Sequence, residues 1–148
     1  MKVILIAAIT LDGYIAHTSD EVITWSRDLK LFKEQTMGYP VIMGSNTERT
    51  LAVELKGRKK IVVHRHSDPK KTLSEIETDK CFVIGGGRTN TKFAPYLTHL
   101  YLTLHALIFG EGIKLFTDLE QELQLKLINT ITANREEEIF QYQYKVIR

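Results

Sequence analysis

The sequence predicts an α/β fold: a central mixed sheet, mostly parallel, with a C-terminal antiparallel strand pair and flanking helices. Three observations predict it. Apolar runs of strand length at residues 3–10, 41–44, 61–63 and 81–84 alternate with helix-like segments, the pattern of strand–helix units on a buried parallel sheet. Two of these runs pass directly into glycine, and a third into a polar, basic cluster. The last part of the chain instead alternates: Leu123, Leu125 and Leu127, then, past a polar turn over 134–137, Phe140, Tyr142, Tyr144 and Val146. A period of two marks an antiparallel pair closing the fold. The 148 residues suit one domain over 1–148.

Each element has its own reason. Residues 3–10 are apolar on both faces, so this strand belongs at the centre of the sheet. Leu11, Asp12 and Gly13 turn the chain, and 14–16 is a short extended piece. Residues 17–23 are polar enough for a loop, which Trp25 closes. A helix opens at Ser26 or Arg27 and runs to about Met37. Its Leu29, Phe32 and Thr36 share a face while Lys30, Lys33 and Glu34 are polar, the helical spacing. Asp28 lies in its first turn, where the helix dipole favours a carboxylate. Gly38 and Pro40 end it. After the second strand, Ser45, Asn46 and Thr47 can cap a short helix over 47–53. A basic turn at 57–60 leads into the third strand, which runs out into His64, Arg65 and His66 and is broken by Asp68 and Pro69. Residues 72–78 suggest another short helix, capped by Thr72 or Ser74. A strand at 81–84, a helix starting near Thr89, a strand over 100–104 and a glycine turn at 110–112 follow.

Composition narrows the function. With 43% hydrophobic and 26% charged residues the chain is an ordinary globular one. A net charge of +2 is too small to argue for nucleic acid or a membrane surface. The single cysteine, Cys81, allows no internal disulfide and fits a reducing compartment. The apolar run near the N-terminus is too short for a membrane span and has no cleavage pattern after it. These points lead to the expectation of a cytoplasmic protein, monomeric or homodimeric, that binds a small molecule.

Three strand ends carry residues suited to chemistry: Gly44 to Thr47, His64 to His66, and Gly85-Gly86-Gly87-Arg88. In open α/β sheets ligands lie at the carboxyl ends of strands. Three glycines without Cβ let a ligand approach bare peptide groups, and arginine offers a fork that matches phosphate. The glycines alone would equally make a tight turn. Together, three such ends with two arginines describe a site for an extended, phosphorylated ligand. His64 and His66 share a strand face, but no third ligand accompanies them, so no metal is expected.

With these residues identified, the chain resembles the dihydrofolate reductase superfamily over essentially its whole length. The resemblance lies in residues 28–36, in 41–44 with Thr47, in 57–63, and in 83–88 followed by 100–103. It implies a dihydrofolate reductase-like fold, NADPH as hydride donor and a pterin-type acceptor, most simply 7,8-dihydrofolate. By position, Asp28 would grip the acceptor's amino-pyrimidine edge and Thr103 would support it. Ala8, Phe32, Leu55 and Arg58 would meet the substrate, Arg58 through the carboxylate of a folate tail. Ala8, Ile15, Gly44, Thr47, His64, Arg65, Ile84, Gly86, Gly87 and Arg88 would contact the cofactor, with His64 and Arg65 at its 2′-phosphate. The bland alternatives are a dipole partner for Asp28, core packing for Phe32, a solvated turn cation for Arg58, and a solvated strand end for His64, Arg65 and His66.

Residues 10–16 and 109–116 are also similar to the related pyrimidine reductases of riboflavin synthesis, which implies a ribosylamino-pyrimidine phosphate as the alternative substrate. Some positions depart from the dihydrofolate reductase pattern. Ser45 stands in place of an arginine, Glu48 of an aromatic and Asn90 of a tyrosine, and the segment from Trp25 to Asp28 is two residues shorter. Ser45 and Asn90 motivate a third alternative, a nucleotide-binding protein without reductase activity.

Overall fold

The computed structural model describes residues 1–51 and 54–148. In chain order the elements are β1 (Lys2–Thr10), β2 (Tyr14–Ala16), α1 (Leu29–Thr36), β3 (Val41–Gly44), α2 (Ser45–Thr50), β4 (Lys60–Val63), α3 (Pro69–Ser74), β5 (Lys80–Val83), α4 (Gly87–Phe93), a 3-10 turn (Ala94–Tyr96), β6 (His99–His105), β7 (Ile113–Lys114), β8 (Gln124–Asn134) and β9 (Ile139–Ile147). Seven strands form one sheet in the order β4-β3-β5-β1-β6-β9-β8, and β2 pairs with β7 in a separate ribbon. The pairings of β1 with β5 and β6, and of β3 with β4 and β5, are parallel; β9 runs antiparallel to both β6 and β8. The expected mixed sheet with its antiparallel edge is therefore present, and β1, apolar from Val3 to Ile9, lies inside it.

Each face of the sheet has its own core. Val3, Leu5, Ile42, Cys81, Val83, Phe93, Leu97 and Leu100 pack on the face that carries α3 and α4. Ile4, Ile6 and Phe82 pack on the other, with Phe32 of α1, Tyr39, Ile84 and Tyr101 against them. Successive β1 residues thus enter opposite cores, which is why the strand holds no polar residue between Lys2 and Thr10.

Several boundaries differ from expectation. The helix α1 starts at Leu29 rather than at Ser26 or Arg27, because Asp28 holds the N-cap position with φ −121° and ψ 15°. Leu29 is 48% exposed and stands at the cavity, while Phe32 and Thr36 lie deeper. The helix α2 begins at Ser45, directly on the strand, with Gly44 as its cap; its expected end at Val53 falls outside the described residues. The helix α3 begins earlier than expected. Asp68 caps it by accepting the Lys70 N–H at 3.0 Å, and Pro69 occupies the first turn, where its missing N–H costs nothing. In β9 the deepest side chains are not the aromatics. Gln141 and Gln143 are buried, and Gln141 exchanges hydrogen bonds of 2.7 and 2.9 Å with Gln35 of α1. Phe140 points outward, and β8, at the sheet edge, is exposed along most of its length.

Candidate active site

The site exists because β1 outlasts its neighbour. Pairing between β1 and β5 stops at Leu5↔Val83, whereas pairing with β6 continues to Thr10↔His105. Beyond Leu5 the sheet splits, and a cavity of about 910 Å³ opens over the carboxyl ends of the strands. Ile6, Ala7 and Ala8 of β1 line it. It extends from Val63 at the end of β4, with His64 and Arg65 after it, to Asp28 and Phe32 beside β6. Four strand spacings separate β4 from β6, about 19 Å, room for a dinucleotide and a second ring end to end.

On the β4 side the walls are backbone, hydroxyl and cation. The chain leaves β5 through Ile84 and the three glycines. Gly85 has φ +114°, its peptide bond to Gly86 is cis, and its carbonyl accepts the Gly44 N–H at 2.9 Å. The turn after β5 is thereby stitched to the end of β3. Gly87 has a packing reason to be glycine: a methyl group there would lie 2.5 Å from Thr117 Oγ1 and 2.7 Å from the Lys114 carbonyl. The segment after β7 presses on the first residue of α4. Thr47, His64, Arg65, Gly86, Gly87 and Arg88 all line the cavity. Lys92 of α4 donates from Nζ to the carbonyls of His64 and Arg65, both at 2.8 Å, so the β4 exit is clamped to the helix that follows the glycines.

On the β6 side the wall is mostly apolar around the carboxylate of Asp28, with Glu21 of the loop after β2 also in the cavity lining. Asp28 is 7% exposed. Burial raises its pKa above the ordinary aspartate range, while the Thr103 hydroxyl draws it back down. Its carboxylate makes no capping hydrogen bond to α1. Thr103 lies opposite Ala8 in the β1–β6 register and is fully buried, and its Oγ1 has no hydrogen-bond partner that satisfies normal geometry. A buried hydroxyl in that condition is free to bond the neighbouring Asp28 carboxylate or a ligand that reaches it. Phe32, Leu29, Ile15 and Ile23 complete this side.

Of the residues singled out from sequence, Ala8, Ile15, Asp28, Phe32, Gly44, Thr47, His64, Arg65, Ile84, Gly86, Gly87 and Arg88 line the one cavity. Thr103 sits behind Asp28. Leu55 and Arg58 lie outside the lining. The Arg58 guanidinium donates to Thr36 Oγ1 at 3.3 Å and to the carbonyls of Glu54 and Lys56 at 2.9 and 3.2 Å, and stands 6.0 Å from the Phe32 ring centre. Sequence reasoning missed Lys92, Ile113 and Thr117. The last two follow the late glycine turn, whose likeness to a known loop was the available signal; Lys92 reads as an ordinary helix cation.

The opening loop is fastened across the top. Asp12 accepts from the Thr10 hydroxyl at 2.6 Å and from the N–H groups of Phe109 and Gly110 at 3.2 and 2.8 Å. These bonds, the Thr10 hydroxyl foremost, hold its carboxyl below the ordinary range. His17 stacks on Phe109 at 3.8 Å. The β2–β7 ribbon joins the same two loops.

A mixed sheet split at its centre, with a glycine turn and two arginines on one side and a buried carboxylate on the other, is a site fit for an extended nucleotide beside a second ligand, the arrangement a nucleotide-dependent reductase needs. The comparisons narrow the class. A family model described as dihydrofolate reductase matches residues 2–148. Dihydrofolate reductase type 3 of Salmonella typhimurium is 31% identical over 117 residues, 70% of this chain and 71% of that protein. The dihydrofolate reductase of Bacillus subtilis is 31% identical over 122 residues, 74% and 71% respectively. In fold, the chain is similar to a dihydrofolate reductase from Enterococcus faecalis, solved with NADP(H) and RAB-propyl. The TM-score is 0.77 at 19% identity, covering 99% of this chain and 97% of that one. This chain belongs to the dihydrofolate reductase family. Among the described residues no helix is long and apolar enough to cross a membrane.

Proposed function

We propose that the chain reduces 7,8-dihydrofolate to tetrahydrofolate, with NADPH as the hydride donor. One observation carries this reading: a buried, unspent carboxylate, Asp28, shares a single cavity with the glycine turn and its arginines. A carboxylate accepts two parallel hydrogen bonds from an amino-pyrimidine edge and so fixes the orientation of the ring. Burial makes Asp28 hold a proton more readily than a surface aspartate would. Where it is ionised, its buried negative charge favours a protonated ring nitrogen beside it and so a more electrophilic C=N bond. The unpartnered Thr103 hydroxyl is left to bond the carboxylate or the ring. Phe32 packs on the acceptor, and Ala8 and Ile15 border the place where the two rings meet.

The residues present fit the cofactor. Gly86 and Gly87 offer backbone without side chains, Thr47 a hydroxyl, and Arg88 a charge for the phosphates. His64 and Arg65, steadied by Lys92, face a 2′-phosphate. Bound NADPH supplies the hydride; the proton comes from solvent. The chain's own part is to align two rings and keep water from between them.

We assign the activity to the cytoplasm, with residues 1–148 forming one domain that acts as a monomer or a homodimer. A sheet drawing strands from Lys2 to Ile147 supports the single domain. The test of the function is loss of NADPH absorbance with purified protein and 7,8-dihydrofolate. Oxidation that needs both reactants and stops with an antifolate is the expected result; NADPH binding without turnover would overturn the substrate assignment. A second reading, reduction of a ribosylamino-pyrimidine phosphate, is favoured by one observation: Arg58 is spent on oxygens of its own chain, outside the cavity lining. An unchanged KM for dihydrofolate in Arg58→Ala would remove the folate-tail role and favour that reading.

A further inference from the structure

We propose that His105 is a positioning residue that holds Asp28 in place by fixing the backbone of Arg27. The proposal rests on the reading of Asp28 as the group that grips the substrate.

Residues 23–28 form neither helix nor strand, so their path must be set by tertiary bonds. The Asp28 side chain does not set it, since it makes no cap bond. The bonds that do lie on Arg27. Its N–H donates to His105 Nε2 at 2.9 Å, and its carbonyl accepts from Asn134 Nδ2 at 3.2 Å. The other nitrogen of the imidazole, Nδ1, lies 3.0 Å from the Thr103 carbonyl. An amide N–H can only donate and a carbonyl can only accept. Nε2 is therefore bare and Nδ1 carries the hydrogen, a single tautomer of the neutral ring. The ring is 2% exposed, and the Trp25 indole meets it edge-on at 5.2 Å and 88°, so it has no freedom to swing away.

Thr103 and His105 are two residues apart on β6 and share a face. The imidazole is thus a strut. One end is set by the strand that carries Thr103, and the other holds the residue immediately before Asp28. The Trp25–Asp28 segment is too short to have regular structure of its own, and His105 supplies the rigidity it lacks. Catalytic groups need their geometry held to a fraction of an ångström by such supports.

The test compares His105→Leu, which fills the space without an acceptor, with His105→Gln, whose amide oxygen can still accept from Arg27. The expected result is a fall in kcat/KM for dihydrofolate of roughly 10- to 100-fold in His105→Leu, with NADPH affinity unchanged. Most of that loss should be recovered in His105→Gln. Hydrogen exchange at the Arg27 amide should be slow in the wild type and His105→Gln, and fast in His105→Leu. Equal losses in the two variants, or wild-type kcat/KM in His105→Leu, would overturn the proposal, because a ring that only fills space does not depend on an acceptor. A wild-type protein that fails to reduce dihydrofolate would sink the functional reading instead. The strut would then be judged by Arg27 exchange alone, and equal exchange in all three proteins would overturn it.

Discussion

Asp28 is costly to the fold. Burial raises its pKa in the folded chain above an unfolded value of about 3.9. Folding therefore takes up protons at this group, and its contribution opposes stability at pH values above the folded pKa. The penalty shrinks as pH falls through that pKa and is gone below about 3.9. Asp28→Asn should melt higher than the wild type at neutral pH, on the order of 2–4 °C, and the gain should fade on acidification. The same variant should lose roughly 100-fold or more in kcat while binding NADPH as before; stability and activity moving together would contradict the assignment. Arg65 allows a second test at this scale. Arg65→Ala should raise KM for NADPH by roughly 10- to 100-fold and leave KM for NADH unchanged, measured by steady-state kinetics with each cofactor. That Asp28 and Arg65 would lie at one site was legible in the sequence, Asp28 from the pattern of 28–36 and Arg65 from the strand end it follows, and both line the cavity. His105 was not: a polar residue at the end of an apolar strand looks like the point where a strand meets water. Its partner, the Arg27 N–H, is 78 residues away and is brought near only by the fold.

At the scale of elements, the turn after β5 and the segment after β7 form one unit. The backbone at Gly87 is so close to Thr117 and Lys114 that Gly87→Ala should destabilise the protein by about 1–3 kcal/mol, seen as a lower midpoint in urea. Because Gly87 also lines the cavity, NADPH affinity should fall with it; an unchanged midpoint would mean that the late segment yields freely. The sheet itself was legible in apolar runs, since a strand buried on both faces has little choice of composition. Helix ends were not. Asp68 and Pro69 were read as the end of a strand, and they are also the start of α3, because the residues that stop one element can cap the next. The inward face of β9 was hidden for a different reason. Gln141 and Gln143 satisfy their amides against Gln35 and each other, a pairing that no single stretch of sequence displays.

At the scale of the whole molecule, the cavity spans strands from β4 to β6, so a bound dinucleotide would tie both parts of the split sheet together. NADPH at a hundred times its Kd should add about 2.7 kcal/mol, or roughly 5–10 °C in Tm, read by thermal melting. A shift no larger than that given by AMP would mean that only the β4 side is engaged. The strand order has a further consequence, in time rather than in space. Lys2 of β1 pairs with Lys80, and Thr10 with His105. The most apolar strand of the chain is therefore made long before either neighbour. At about 5–20 residues per second on the ribosome, the 78 residues from β1 to β5 take roughly 4–16 s to synthesise. For that interval β1 has no native strand partner, so its apolar residues are open to non-native contacts until β5 and then β6 emerge beside it.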